Sequence, residues 1–335
     1  MFTNFPLFPQ QASVQAGQVD AIYFFMVAVT AFFSLLIGSL VVFFAFKYRR
    51  RHKDEIGVAI HGSLPLELLW TFIPLGIVMV MFVWGAWVFF NLYRPPANAM
   101  EIFVVGKQWM WKVQHMDGQR EINELHVPVG RPVKLVMGSE DVLHSYFIPD
   151  FRVKADVIPG RYNTLWFTAT KPGQYHLFCA EYCGTKHSGM VGRIIAMEPA
   201  DFQAWLGGGQ AEDSPVATGA KLFTDLACHT CHAGDTQGRG PVLNGVYGKP
   251  VELQGGAKVM ADDAYIRESI VNPQAKIVAG FQPIMPTFQG MVTEEQLLQL
   301  VAYIRWLGGQ GTSTAPSGSA APTMPQNTST PDNKR

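Results

Sequence analysis

The chain has 335 residues, of which 48% are hydrophobic and only 16% charged, against roughly 25% charged in an ordinary soluble protein, so long charge-free stretches must exist. Its 26 Lys+Arg balance 26 Asp+Glu; there is no basic field to attract nucleic acid, and the composition excludes collagen, coiled coil and a wholly disordered chain. The length suits about two or three domains.

The opening MFTNFPLFPQ lacks a basic n-region followed by a short apolar run, so no cleavable signal peptide is expected in the N-terminal segment 1–19. A transmembrane helix hairpin is expected over 20–95. Ala21 to Phe46 and Leu68 to Tyr93 are each 26 residues without a charge, about 39 Å of helix, enough to cross a hydrocarbon core of about 30 Å with some tilt. Pro74 is tolerable inside such a span when neighbours satisfy the freed carbonyl. Lys47, Arg49, Arg50, Arg51 and Lys53 crowd the connecting loop, which places that loop in the cytoplasm and everything after Tyr93 outside. Glu67 stands at the cytoplasmic end of the second span. It is either an interfacial residue or, as intramembrane acids are by default, a functional one.

Residues 96–206 read as a β domain, a sandwich or barrel. Runs rich in β-branched and aromatic residues (Ile102 to Val113, Pro132 to Met137, Tyr162 to Thr168, Met190 to Met197) alternate with turn signals such as Asp117-Gly118, Pro159-Gly160 and Pro172-Gly173. A linker over 207–214 ends at Ser214-Pro215, an N-cap followed by a first helical position. The last domain, 215–309, is helical. Thr293 with Gln296 fits a capping box, and Leu297, Leu300, Val301, Ile304 and Leu307 hold the spacing of one apolar face. The tail 310–335 is Gly/Ser/Thr/Pro-rich, with no apolar periodicity, and is expected to be disordered.

Two motifs carry the chemistry. Cys179-Ala-Glu-Tyr-Cys183-Gly-Thr-Lys-His187-Ser-Gly-Met190 sets two thiols, an imidazole and a thioether within twelve residues. Thiolate and thioether are soft ligands that favour copper, whereas a closed zinc site would take four Cys/His ligands and no Met. Cys179, Cys183 and His187 are spaced to line one helix face, but Gly184, Gly189 and the β-like flanks favour a ligand loop between strands. A second imidazole must come from elsewhere in the sheet, and His144 is the best placed. Cys228-His-Thr-Cys231-His232 is a C-x-x-C-H haem attachment sequence: the thiols take haem vinyl groups and His232 ligates iron. A distal ligand must come from downstream, where Met260, Met285 and Met291 are the candidates. These motifs use all four cysteines and leave none for a structural disulfide. His52, His61, His115, His126 and His176 have no ligand spacing and are expected at the surface or in packing.

Glu140-Asp-Val-Leu-His144-Ser, Asp156-Val-Ile-Pro-Gly160-Arg161, the cysteine loop and Gln108-Trp109-Met-Trp111, together with the two spans, resemble subunit II of the haem-copper cytochrome c oxidases from about Asp20 to Leu206. The resemblance implies a cupredoxin-like fold for the β domain. It also implies a dinuclear copper centre, CuA, bridged by Cys179 and Cys183 and completed by His144, His187, Met190 and the carbonyl of Glu181. The Glu181 carboxylate would help hold magnesium against subunit I, Trp109 would be the electron-entry residue with Trp111 its neighbour, and Glu67 would be a proton-channel entrance. Pro283-Ile-Met285-Pro-Thr-Phe resembles the axial-methionine loop of class I cytochromes c, which selects Met285. The whole resembles a caa-type subunit II with a fused cytochrome c domain, in a bacterial cytoplasmic membrane with its copper and haem domains on the periplasmic side.

In that reading electrons from a soluble or membrane-bound cytochrome c, or from a quinol:cytochrome c-type complex, pass through haem c and CuA to subunit I. There oxygen is reduced with proton pumping; this chain alone cannot reduce it. Subunit I is an obligatory partner and subunit III a further one. A CuA-bearing small subunit of a nitric-oxide reductase and a copper carrier are the alternatives.

Overall fold

The computed structural model describes residues 8–57, 59, 61–208, 214–232 and 239–310. The core of the expected linker, 209–213, and the expected disordered tail beyond 310 lie outside them.

Two long helices, α1 (Val14–Lys47) and α2 (Leu64–Tyr93), open the chain. Their most apolar windows have mean hydropathies of 2.5 and 2.2 and are 0% and 6% buried. Helices this apolar and this uncovered are not the core of a soluble fold; their side chains need a hydrocarbon environment. They pack on each other through Phe25 and Trp84, whose rings are 5.6 Å apart. Pro74 lies inside α2 without ending it. α1 starts before the charge-free stretch because Ser13 caps it, accepting from the Ala16 N–H, and its first turns are held by the β domain. Asp20 receives Nε and Nη2 of Arg152 at 2.9 and 3.0 Å, while Ser13 donates to the Phe151 carbonyl. Near the end of α2, the Asn91 carbonyl accepts from the Trp166 indole at 3.1 Å. Both helices are thus tied to the β domain.

That domain contains β1 (Met100–Lys107), β2 (Met110–His115), β3 (Arg120–Ile122), β4 (Glu124–Pro128), β5 (Pro132–Ser139), β6 (His144–Ile148), β7 (Val153–Val157), β8 (Asn163–Thr168), β9 (Gly173–Cys179) and β10 (Val191–Met197). They form two five-stranded sheets, ordered β3-β2-β1-β5-β8 and β4-β10-β9-β6-β7, a cupredoxin-like sandwich. The run from Ile102 to Val113, read as one strand in the sequence, is split by a turn at Gln108-Trp109 into the antiparallel pair β1 and β2. The inward-facing residues of both sheets, among them Ile102, Trp111, Leu135, Tyr146, Phe167 and Leu177, share one core; burying side chains of this size supplies most of the stability of such a sandwich.

After α3 (Pro199–Gly208) come α4 (Pro215–Asp225), a short hairpin of β11 (Pro250–Glu252) and β12 (Lys258–Met260), α5 (Asp263–Val271) and α6 (Glu294–Arg305). Ser214 caps α4 and the Thr293/Gln296 capping box opens α6. The two helices cross at Gly219, where a Cβ would stand 2.0 Å from the Gln299 carbonyl oxygen; only glycine permits this approach. α6 is buried on two sides. Leu297, Leu300, Val301 and Ile304 face the helical core, while Leu298 and Ala302 join Phe103 and Val105 of β1 and Val136 of β5. Arg305 pairs with both Glu101 of β1 and Asp263 of α5, and Gln299 donates to Gln114 of β2 at 3.2 Å.

Candidate copper and haem sites

Cys179 ends β9, Val191 begins β10, and the residues between form the ligand loop, with a single 3-10 turn at His187–Gly189. The helical alternative is not realised. The loop returns beneath the start of β6, so that His144, 35 residues earlier, meets it. Cys179 Sγ lies 3.7 Å from Cys183 Sγ, 3.9 Å from His144 Nδ1 and 3.3 Å from the Glu181 carbonyl oxygen. Cys183 Sγ lies 3.5 Å from His187 Nδ1 and 3.7 Å from Met190 Sδ. Two thiols, two imidazoles, a thioether and a carbonyl therefore converge around one sulfur pair. Met190 and His144 are fully buried, which keeps bulk water from these donors. A soft set of this kind, with two sulfurs shared at its centre, fits copper.

The surroundings orient the donors. Asp141 Oδ1 is 2.8 Å from His144 Nε2, which leaves Nδ1 to face the thiol; a carboxylate behind a ligating imidazole fixes its tautomer and ring plane. Burial works against the Asp141 carboxylate, but the Gln108 N–H, His144 and the Val142 N–H hold its pKa low. Burial also opposes a Cys179 thiolate, yet His144 and nearby backbone groups bring that thiol down to about 6. Burial and the adjacent Cys179 push Cys183 up to about 12. Asp141 stands three residues before His144 in sequence, a spacing that signals this role.

Trp109 lies against the ligand loop: a Cβ on Gly184 would be 3.3 Å from its ring, and Lys186 Nζ stands 5.7 Å from the ring centroid. Gln108 donates to the Cys183 carbonyl at 2.8 Å. Trp111, in contrast, is wholly buried, edge-on to Tyr146 and to His144 at centroid distances of 4.8 and 5.7 Å. Glu181 is exposed, with its carbonyl turned to the cluster and its carboxyl group free of any role within it. Glu67 sits in the first turn of α2, far in sequence from either centre.

In the helical domain Cys228, His232 and Met285 line one cleft of about 1050 Å³ including its open mouth. Its walls are almost entirely apolar, with Phe223, Leu243 and Phe288 among them. His232 Nδ1 is 2.8 Å from the Pro241 carbonyl, so the ring donates there and presents Nε2 as the acceptor. Gly240 makes room for this contact, since a Cβ there would stand 2.9 Å from the His232 ring. Cys231 closes the turn, its N–H bonded to the Cys228 carbonyl at 3.2 Å. Met260 and Met291 are 51% and 66% exposed and take no part in the cleft. An apolar slot lined by the Cys228 thiol, one imidazole and one thioether, with Cys231 three residues beyond Cys228, fits a covalently held haem.

The chain matches the family "Cytochrome C oxidase subunit II, transmembrane domain" over residues 3–85, the corresponding periplasmic domain over 115–197, and "Cytochrome c" over 216–308. Cytochrome c oxidase subunit 2 of a Synechocystis species is 31% identical over 269 residues, covering 66% of this chain and 80% of that protein. Cytochrome c oxidase subunit 2 of Alkalihalophilus pseudofirmus is 30% identical over 296 residues, covering 84% of each. This chain belongs to the cytochrome c oxidase subunit II family. It is a subunit II with a cytochrome c domain fused after it, a membrane protein with a periplasmic domain, and the two families bring copper to its β domain and haem c to its helical one. The solved periplasmic domain of subunit II of the cytochrome oxidase of Bradyrhizobium japonicum is 32% identical and aligns with a TM-score of 0.33, covering 34% of this chain and 95% of its own.

One cluster escaped the sequence reading. Glu121 takes His115 on Oε1 at 2.8 Å and His126 on Oε2, and the Trp205 ring of α3 stacks on His126 with centroids 4.3 Å apart. Burial opposes the Glu121 charge, but the two imidazoles and the His126 N–H bring its pKa down to about 2. The residues are spread over β2, β3, β4 and α3, so no local spacing marks them.

Proposed function

We propose that this chain is the electron-entry subunit of a terminal respiratory oxidase. Electrons from a cytochrome c donor, soluble, membrane-bound or part of a quinol:cytochrome c-type complex, reach haem c and pass to a dinuclear CuA centre. They leave for subunit I, where oxygen is reduced with proton pumping. The convergence of two imidazoles, a thioether and a carbonyl on the Cys179/Cys183 thiol pair carries this reading, because a donor set of this kind could hold two copper ions and would supply one-electron chemistry there.

When bound, the two metal centres supply one-electron chemistry. The protein holds them rigid: β6, β9 and β10 fix the copper donors, and Asp141 locks the His144 ring, so little needs to move when charge changes. Cys228 and Cys231 would hold haem covalently and His232 and Met285 would ligate its iron, and the group so held would supply electron transfer in this domain. Trp109 serves as an entry side chain beside the ligand loop. The exposed Glu181 carboxylate helps hold magnesium against subunit I, and subunit III completes the assembly. Glu67 opens a proton path at the cytoplasmic edge of a bacterial inner membrane, the edge set by the basic loop after α1.

Metal and haem analysis of the purified full chain tests this. Two copper ions and one covalent haem per chain are expected, with a mixed-valence copper spectrum. Cys183→Ser should abolish that spectrum and leave the haem spectrum intact. Retention of both coppers in the variant, or joint loss of both signals without unfolding, would overturn the assignment.

A further inference from the structure

α6 separates the two candidate centres and touches the surroundings of both. Leu300 and Ile304 line the haem cleft, while Leu298 and Ala302, on the opposite side of the same helix, share a buried apolar cluster with Phe103, Val105 and Val136. The described residues that line the cleft all belong to the helical domain, so among them the β sheet supplies no wall of it. One residue beyond Val105, Gly106 lies against the copper donors: a Cβ there would be 3.1 Å from His144 Cδ2 and 3.1 Å from the Trp111 ring. From the apolar contact of α6 to a copper-ligand ring there is thus one peptide link along β1. Gln299 adds a hydrogen bond into β2 at 3.2 Å, buried at both ends.

The contact is built as a fixed interface. Its apolar centre is flanked by Glu101–Arg305–Asp263 at one end of α6 and by Glu294–Arg267 at the other, the latter at 2.9 Å with Arg267 also bonded to the Gly160 carbonyl. Arg120 and Glu295 add a further pair at 3.2 Å. At Gly138 of β5 a Cβ would stand 3.1 Å from Glu294 Oε1, so the sheet is hollowed where the helix start sits on it. Charged groups that are both paired and largely buried hold one geometry, because any displacement strands a charge without its partner.

We propose that the cytochrome c domain is permanently seated on the sheet β3-β2-β1-β5-β8, and that its haem cleft is coupled to the copper donors through α6 and β1, entering at His144 across Gly106. This rests on the reading above that both centres are loaded. A single electron moves: the haem iron goes from ferrous to ferric and the copper centre is reduced by one electron, with no bond made or broken and no proton transferred. The cleft mouth then stays open to an outside donor while transfer within the chain uses the back of the domain.

The experiment uses the full chain in detergent with a site-specific protease sequence inserted within residues 209–213. After cutting, the C-terminal piece should remain bound on size exclusion, whether or not metal is present, and Ala302→Glu should release it. Glu101→Lys, which leaves α6 unaltered and repels Arg305, supplies the same readout should Ala302→Glu fail to fold. In the metal-loaded chain, one-electron photoreduction of haem should be followed by copper reduction at a rate changed less than twofold by the cut and at least tenfold slower in the variant that undocks. Release of the piece from the unsubstituted chain, or a tenfold loss of rate on cutting, overturns the proposal. Failure of the unsubstituted chain to bind copper or haem overturns the earlier reading instead.

Discussion

At Glu121 a carboxylate whose side chain is 6% exposed keeps its charge because two imidazoles hold it. The ordinary value of 4.5 falls to about 2, so the folded state prefers the ionised form by roughly 3 kcal/mol. A depressed folded pKa gives stability that is present above the unfolded value and is lost as pH falls toward the folded one. The stability difference between the native chain and Glu121→Gln should therefore be largest near neutrality and shrink between pH 4.5 and about 2, as read from urea midpoints. A difference that stays constant through that window would remove the charge from the account. Met285 is tested by potential: Met285→Ala should lower the haem potential and open the iron to carbon monoxide, whereas Met260→Ala and Met291→Ala, at residues exposed outside the cleft, should do neither. Carbon monoxide binding measured by difference spectra separates the three. The C-x-x-C-H motif made His232 legible from sequence, but the Pro241 carbonyl that sets its tautomer stands nine residues further on with no pattern to announce it.

Among the elements, α6 shows where periodicity reads half of a helix. Leu297, Leu300, Val301 and Ile304 follow the spacing of one apolar face and do face the helical core. Leu298 and Ala302 break that spacing, and their second face is explained by β1 and β5. A helix buried on two sides looks in sequence like an ordinary amphipathic one with two misplaced residues. The α4–α6 crossing has the same dependence on a partner. Gly219→Val would drive a side chain into the Gln299 carbonyl, where even a Cβ has 2.0 Å, and should cost the helical domain about 3 kcal/mol. The measurement is the haem-to-copper ratio of the purified chain, which should fall with copper content unchanged; an equal loss of both metals would place the damage elsewhere.

On the scale of the whole molecule, α1 and α2 carry the β domain through the Asp20–Arg152 pair and the Asn91–Trp166 bond, which set its orientation at the membrane edge. Glu67 lies at the opposite end of α2, in its first turn. Glu67→Gln removes the exchangeable proton at nearly constant size, so both metal centres should assemble and take up electrons normally. Oxygen turnover of the assembled oxidase should fall, and the loss should grow as pH rises and protons become scarcer. Turnover unaltered from about pH 6 to 9 would leave Glu67 as an interfacial carboxylate.

The sequence by itself determined the membrane hairpin, because charge-free stretches of 26 residues have few other fates in water. It also made the sulfur-rich ligand loop and the C-x-x-C-H motif legible, since their donors are close along the chain and chemistry constrains their spacing. Only the tertiary structure brought His144 to the loop, stacked Trp205 on the His126 ring beside Glu121 and seated α6 on β1. Each of these joins residues far apart in the chain, whose pairing is set by strand order, register and packing.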